Sequence, residues 1–424
     1  METETETVKS EHPVFSSRLD YTQKLVTDVS VDHIETIKYS PTTALSTSNP
    51  NIIQFHLPAH QFAFTDMKNS QLYVKCKIVR SNGAALTGSD SASYCNNFLS
   101  SLFSHVTVHM NSKLVYSADS HYHYKCLIEK LCNSQHASLN ELFEIETTTG
   151  EPTTEDVTTR QPRTNESAIF EMAGPIYADI FQTSKYLPNG ITIDIKLEKN
   201  EDAFYLLSPQ DTNLFKLQIL DIYLNVKRVH LNPSVFQFIT NQIEKTPASL
   251  PYKGVVVRSF GITSGTFSFV QERLFSGRLP SVVVIGLVSS AAYLGNQTKN
   301  GYNFKDFGVS KISVSTDTIT QNSNYIEFDF TNSKYLEGFT RFSEAIGNHK
   351  QLVLNRDNWR SGKSLFAFTL SPTASEQALS PVKTGAVRAS IDFKAATTEA
   401  IVAVVLGVFD NTLVIDGERD ISII

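Results

Sequence analysis

Histidine and cysteine crowd one stretch of the sequence, which holds His105, His109, His121, His123, Cys126, Cys132 and His136. Imidazole and thiolate are the usual ligands of zinc and iron, so the chemistry this cluster could do is metal binding, with His121, His123 and Cys126 as the candidate ligands. The spacing argues against it. Tyr124, Leu127, Ile128 and Leu131 recur at i, i+3, i+4 and i+7, which predicts a helix, and helix positions two apart point to different faces. His105 and His109 alternate with Val106 and Val108, a strand pattern that turns both rings to a polar face. Ser361-Gly-Lys-Ser364 looks like the end of a phosphate-binding loop, but Asp357 stands where that loop needs Gly, and a strand-like run follows where it needs a helix. Acid–base work by Asp194, Asp221, Glu327, Asp329 or Asp392 would require burial, and all five lie on the polar faces of alternating strands. No Gly-x-Ser-x-Gly elbow is present. The residues predict no enzyme, no resident metal and no cofactor.

The elements that would position these residues are strands. Period-two alternation of apolar residues marks Leu72 to Ile78, Ile191 to Leu197, Leu220 to Val226, Tyr325 to Phe330 and Val387 to Phe393. Val282 to Val288 and Ile401 to Val408 are apolar throughout, as strands covered on both faces are. Strand-like runs begin near residues 23, 52, 71, 103, 113, 168, 191 and 217, then near 253, 280, 309, 325, 364, 386, 400 and 412. Eight runs per half is the strand number of a jelly roll, and one twisted sandwich of all sixteen would be too wide. The expected fold is all-β: two tandem eight-stranded jelly rolls with a few short helices.

Three such helices are expected. One carries the Tyr124 stripe, with Asp119 or Ser120 as its cap. A second holds Tyr335, Phe339, Phe342 and Ile346 and stops at Gly347. The third opens at Asn232-Pro233, turns Val235, Phe236, Ile239 and Ile243 inward, and bridges the halves before Pro247. The division this implies is an N-terminal arm and first strand over 1–45, a first roll over 46–231, a linker helix over 232–250 and a second roll over 251–424. The Thr-rich stretch from Glu146 to Arg163 and the segment from Ala291 to Gly301 read as surface loops. The halves show no sequence repeat.

Composition narrows the function. Only 19% of the 424 residues are charged, below the ~25% of ordinary soluble domains, which suggests that partners cover much of the surface. A net charge of −6, an acidic N-terminus and no basic block argue against a tail that binds nucleic acid directly. Four cysteines are too few for a disulfide scaffold and suggest a reducing compartment. Met1 to Glu11 has no apolar core, so no secretory signal is expected, and the sequons at Asn165 and Asn296 are chance matches. No apolar run reaches the ~18 residues of a membrane span. The expectation is a protein made inside the cell.

The second half carries a recognisable series. Tyr252-Lys-Gly-Val-Val-Val-Arg-Ser259 leads into Ile262-Thr-Ser-Gly-Thr266, then Phe275-Ser-Gly-Arg-Leu-Pro-Ser281 and the strand from Val282 to Val288. Asn300-Gly-Tyr-Asn-Phe-Lys-Asp-Phe307, Phe366-Ala-Phe-Thr-Leu-Ser-Pro372, Lys383-Thr-Gly-Ala-Val-Arg388, Phe409-Asp-Asn411 and Ile415-Asp-Gly-Glu-Arg419 follow. The series resembles the major capsid (hexon) proteins of adintoviruses and related Polinton/Maverick elements, some of them resident in animal genomes. The resemblance is most specific from about residue 250 onward, and Gly301-Tyr302 departs from the Pro-Phe expected there. It implies a double jelly-roll subunit whose homotrimer, with six β-lobes and interfaces on the order of 2,000–5,000 Å², tiles an icosahedral shell. It also implies neighbouring capsomers, penton and minor capsid proteins as partners, a place in the virion, and assembly in the host nucleus. In the Gly277-Arg278-Leu279-Pro280 motif, Gly277 supplies a turn and Pro280 holds Leu279 extended. Arg278 is expected to pair with a carboxylate, within the subunit or across the trimer.

Two other readings stay open. A cupin-like two-domain metalloenzyme would use the His121-x-His123 pair, although Glu129 lies one residue beyond the cupin spacing and the second half offers only His349. A domesticated host copy would act as a binding module.

Overall fold

The computed structural model describes residues 28–45, 50–88, 90–132, 164–209, 215–317, 324–345, 356–371 and 382–424. The run near residue 23, His136, the Glu146 to Arg163 loop, Ile346, Gly347 and His349 lie outside the described residues.

The first half contains β1 (Val31–Tyr39), β2 (Ile52–Leu57), β3 (Ala63–Arg80), β4 (Ser93–Tyr94), β5 (Phe103–Met110), β6 (Lys113–Ser117), β7 (Phe170–Gly174), β8 (Ile193–Lys199), β9 (Leu206–Leu207) and β10 (Phe215–Leu231). The second contains β11 (Ala248–Ile262), β12 (Ser268–Arg278), β13 (Val282–Ser289), β14 (Val309–Ser315), β15 (Tyr325–Glu327), β16 (Leu365–Thr369), β17 (Thr384–Phe393), β18 (Ile401–Ile415) and β19 (Ile421–Ile423). One sheet of the first half runs β1-β10-β3-β7 and the other β2-β8-β5-β6. The second half repeats this plan as β11-β18-β13-β16 and β12-β17-β14-β15. With the short β4, β9 and β19 set aside, each half has eight strands, ordered first-eighth-third-sixth and second-seventh-fourth-fifth. That is the jelly-roll weave, and the fold is a double jelly roll. The internal repeat missing from the sequence is present in the topology. Among the described residues, every strand pairing stays within one half.

The alternation explains the burial. In β8, Ile193, Ile195 and Leu197 are buried while Asp194 and Lys196 are half-buried. The apolar strand β13 and the apolar first part of β18 pair centrally in their sheet; β13 is buried after its first residue and β18 from Ile401 to Gly407. Their glycines mark close approaches. A Cβ on Gly286 would stand 2.5 Å from the Phe304 ring and 2.9 Å from Leu365, and one on Gly407 would stand 2.7 Å from the Phe275 ring.

The structure corrects several local expectations. The run near 412 is the continuation of β18, whereas β12, absent from the expected set, supplies the eighth strand. Its sequence, Ser-Phe-Val-Gln-Glu-Arg, hides the period because it is a largely exposed sheet edge with a bulge between Gln271 and Phe275. The expected strand from Tyr325 to Phe330 stops at Glu327, and a short 3-10 turn over Phe330–Asn332 follows. The helix Pro233–Lys245 forms with Asn232 Oδ1 accepting from Ser234 N–H at 3.1 Å, but of its four expected inward residues only Ile243 is buried. It lies on the surface, where the Phe236 ring meets Phe62 and Phe64 at 6.4 and 6.1 Å. The other two helices form over Tyr122–Cys132 and Leu336–Ala345, each between the fifth and sixth strands of its roll.

Packing this tight makes a clear forecast. Gly286→Ala should destabilise the chain by about 1–3 kcal/mol, because the added Cβ would overlap the fully buried Phe304 and Leu365 side chains. Gly261→Ala, whose Cβ meets nothing within 4 Å, should be close to neutral. Denaturant unfolding of the two variants measures the contrast.

Candidate functional site at the seam between the halves

The Tyr122–Cys132 helix is buried along nearly its whole length, on more sides than one amphipathic stripe explains. One side packs on its own roll and another on the second half, so its polar side chains need internal partners. Lys125, with a side chain 2% exposed, places its ammonium 2.7 Å from Asp179 Oδ1 and 3.0 Å from Glu129 Oε2, and donates to Tyr177 O at 2.6 Å. Asp179 Oδ2 accepts from Val255 N–H at 2.8 Å, so the carboxylate reaches from the first half to β11 of the second. Burial alone would lower the Lys125 ammonium, but Asp179 and Glu129 outweigh it and hold it well above the usual lysine range. Burial pushes the Lys130 ammonium the other way, down to about 7. Lys130 donates to Asn97 Oδ1 at 2.6 Å and sits over the Tyr177 ring.

Aromatic rings fill the rest of the seam. Tyr124 stacks on Tyr293 at 5.7 Å and meets Phe204 and Tyr302 edge-on. Its hydroxyl donates to Gly301 O at 2.9 Å, and the Tyr302 hydroxyl returns a bond to His123 O at 3.2 Å. Gly301 packs against Phe204 so closely that a Cβ would lie 2.4 Å from the ring. The Gly301-Tyr302 pair therefore sits at the junction of the halves, and no simple surface turn occupies this place. Farther along, Arg419 donates to Asn189 O at 2.9 Å and Asn189 Oδ1 at 2.8 Å, while Asn111 donates to Arg419 O at 2.8 Å.

The candidate ligands of the sequence are all found here, serving the seam. His121 donates from Nδ1 to Asp119 O at 2.6 Å, and its Nε2 faces Ser259 Oγ at 3.1 Å and the Tyr293 hydroxyl at 3.0 Å. Asp119 and Ser120, expected as caps, take left-handed turn conformations, and Asp119 accepts from Ser117 Oγ. The His123 ring lies against Phe204 at 4.4 Å and Tyr124 at 4.6 Å, and burial pushes it down to about 3, so it is neutral at physiological pH. Burial raises the Cys126 thiol to about 12, far from the thiolate a metal needs. His105 Nε2 meets Ser117 Oγ at 3.1 Å on β5, and His109 pairs in register with Asp194 on β8. Among the described residues, the histidine, cysteine and carboxylate donors that gather within 4.8 Å of one another are instead those of Glu35, His60 and His230. Sequence reading missed this set, because only the fold joins positions so far apart. The one local signal was His33 and Glu35, alternate residues on one face of β1.

The Gly277–Pro280 segment lies at another edge of the seam. Gly277 has φ 90°, but it sits inside the β12–β17 ladder opposite Gly385 and not in a turn. Leu279 N–H donates to Lys383 O at 2.8 Å, which holds the chain extended before β13. Arg278 reaches Asn411 Oδ1 at 3.0 Å and the carbonyl of Asp410, where a carboxylate was expected, while the Asp410 carboxylate pairs with Lys253. Arg278 also borders an open cleft of about 270 Å³ lined by Tyr116, Asp179, Tyr252 and Phe409. Lys363 and Ser364, from the loop that looked phosphate-binding, are buried in a turn before β16.

No protein-family model matches the chain. Among curated proteins, an uncharacterized protein of Caenorhabditis elegans is 26% identical over 390 residues, covering 87% of this chain and 92% of its own. The cryo-electron-microscopy structure of the Sputnik virophage is similar with a TM-score of 0.62 at 10% identity, over 97% of this chain and 92% of that one. The crystal structure of the mavirus major capsid protein gives 0.56 at 12% identity, over 100% and 96%. The quasi-atomic model of the PBCV-1 virus capsid gives 0.57 at 9%, over 95% and 99%. At such identities the likeness is one of fold, along the whole double jelly roll.

Two outcomes test the seam. Lys125→Met leaves Asp179 and Glu129 without their cation and should cost about 3–5 kcal/mol, whereas Lys299→Met, at the half-exposed 3.3 Å pair with Glu399, should cost less than about 1 kcal/mol. Denaturant midpoints compare them. His123, with a folded-state value of about 3 against 6.5 when free, stays neutral while the unfolded chain takes up a proton as the pH falls. Its contribution is intact above about pH 6.5 and is lost toward pH 3, reaching about 2 kcal/mol by pH 5. His123→Phe should therefore lose about 2 kcal/mol less than the parent between pH 7 and pH 5.

Proposed function

We propose that the chain is a viral-type major capsid protein: a structural tile that assembles with copies of itself into a shell. The observation that carries this reading is the union of two jelly rolls of identical weave in one chain, along a fold shared end to end with the structures of the Sputnik virophage and the mavirus major capsid protein. Two similar lobes per chain give a homotrimer six lobes, and hence the near-sixfold outline a hexagonal lattice accepts. The apolar side chains of Phe62, Phe238, Phe267 and Leu294 are 62–74% exposed and would be covered between copies. The division at residues 231 and 250 makes the Pro233–Lys245 helix the link between lobes. Neighbouring capsomers, penton and minor capsid proteins are the partners such a tile needs, the virion is its place, and the nucleus its site of assembly.

The adintovirus and Polinton/Maverick assignment belongs to this proposal and rests on the second-half motifs. The Caenorhabditis elegans relative favours a specific form of it, a copy resident in an animal genome. Such a copy keeps the same trimer.

Light scattering on the purified full chain decides the matter. The expected mass is that of three 47.2-kDa chains, about 142 kDa, with hexagonal outlines in negative-stain images. A stable monomer at micromolar concentration would overturn the reading.

A further inference from the structure

Glu35, His60 and His230 come from three separate elements and place their donor atoms within 4.8 Å of one another. Glu35 lies on β1, an edge strand that pairs on one side with β10 and is exposed along much of its length. His230 lies at the end of β10, opposite His33 on one side and Ala63 on the other. His60 stands in the connection between β2 and β3, where its Nδ1 accepts weakly from Phe62 N–H at 3.2 Å. We propose that these three residues form a site for a divalent transition-metal ion of the zinc type, one that fastens β1 to the body of the first roll.

The chemistry fits on three counts. Two imidazoles and one carboxylate are a recurrent zinc donor set, leaving a fourth position for water. The ring of His230 is already held, stacked on His33 at 4.3 Å with the planes 6° apart, and its Nε2 lies 2.8 Å from Glu35 Oε1, where an ion would take the place of the shared proton. His60 stands edge-on to His230 at 5.6 Å. The Arg228 guanidinium, the nearby cation, is turned away to Thr65 Oγ1, the Tyr39 hydroxyl and Pro58 O. The site does not depend on the assembly reading: it would act within one chain.

Full-length protein stripped with EDTA and titrated with Zn²⁺ and Co²⁺ tests this. The expected result is one equivalent bound per chain, a visible Co²⁺ absorption band of low coordination number, and a higher Tm with Zn²⁺. His60→Ala and Glu35→Gln should each weaken binding at least tenfold and abolish the Tm rise, while His109→Ala should change neither. Circular dichroism of the metal-free variants checks that they fold, and Glu35→Gln, which keeps a hydrogen-bond acceptor for His230, guards against a purely structural loss. Absence of saturable binding in the parent, or binding unchanged by both variants, would overturn the proposal.

Discussion

An ammonium group taken out of water holds the two halves in one arrangement. Lys125 costs several kcal/mol to bury, and the carboxyl groups of Asp179 at 2.7 Å and Glu129 at 3.0 Å hold its charge there. Asp179 in turn has a second oxygen to satisfy, and its partner is the backbone N–H of Val255 on the other roll. The rings around Tyr124 bury apolar surface, which many relative orientations would do about as well. The chain of charge and hydrogen bond accepts few. Orientation is set by polar groups, and apolar area supplies the adhesion.

That division of labour runs through the whole weave. Each roll closes its own sheets, and both place a helix at the same step of the weave, between the fifth and sixth strands. The first-half helix is drawn into the seam, whereas the second-half helix packs beside Trp359 and β16 of its own roll. Equivalent positions in a repeated architecture have taken different duties, and the sequences have diverged accordingly.

Much of the fold was legible because burial on one face writes itself as alternation, and burial on both as an unbroken apolar run. Ile193, Ile195 and Leu197 carry the first signal, and β13 and β18 the second. What failed was whatever lay outside those two cases. β12 is an exposed, bulged edge, and Phe328 and Phe330 alternate like a strand yet stack on each other at 5.1 Å beyond the end of β15. The site was less legible still. The cluster around His121 announced itself by proximity in sequence, but a helix directs its neighbours apart. Glu35, His60 and His230 gave no such notice, because sheet pairing and a connection bring them together. Arg278 was noticed as a charge, but which acceptor it takes depended on the register of β18 against its neighbours.

The reach of Asp179 also has a consequence in time. Val255 follows it by 76 residues, so at ordinary rates of synthesis about 4 to 15 s pass before the second oxygen can find its donor. Once Leu231 is made, 24 residues before Val255, the first roll can complete every ladder of its sheets, all of which lie within residues 31–231, yet its seam stays wet for about 1 to 5 s more. Water must solvate the carboxylate until β11 emerges, and the aromatic face stays uncovered until Tyr293 and Tyr302 follow. The nascent first half is thus finished in its hydrogen bonding and unfinished in its desolvation, and during those seconds it is most in need of shelter from other copies.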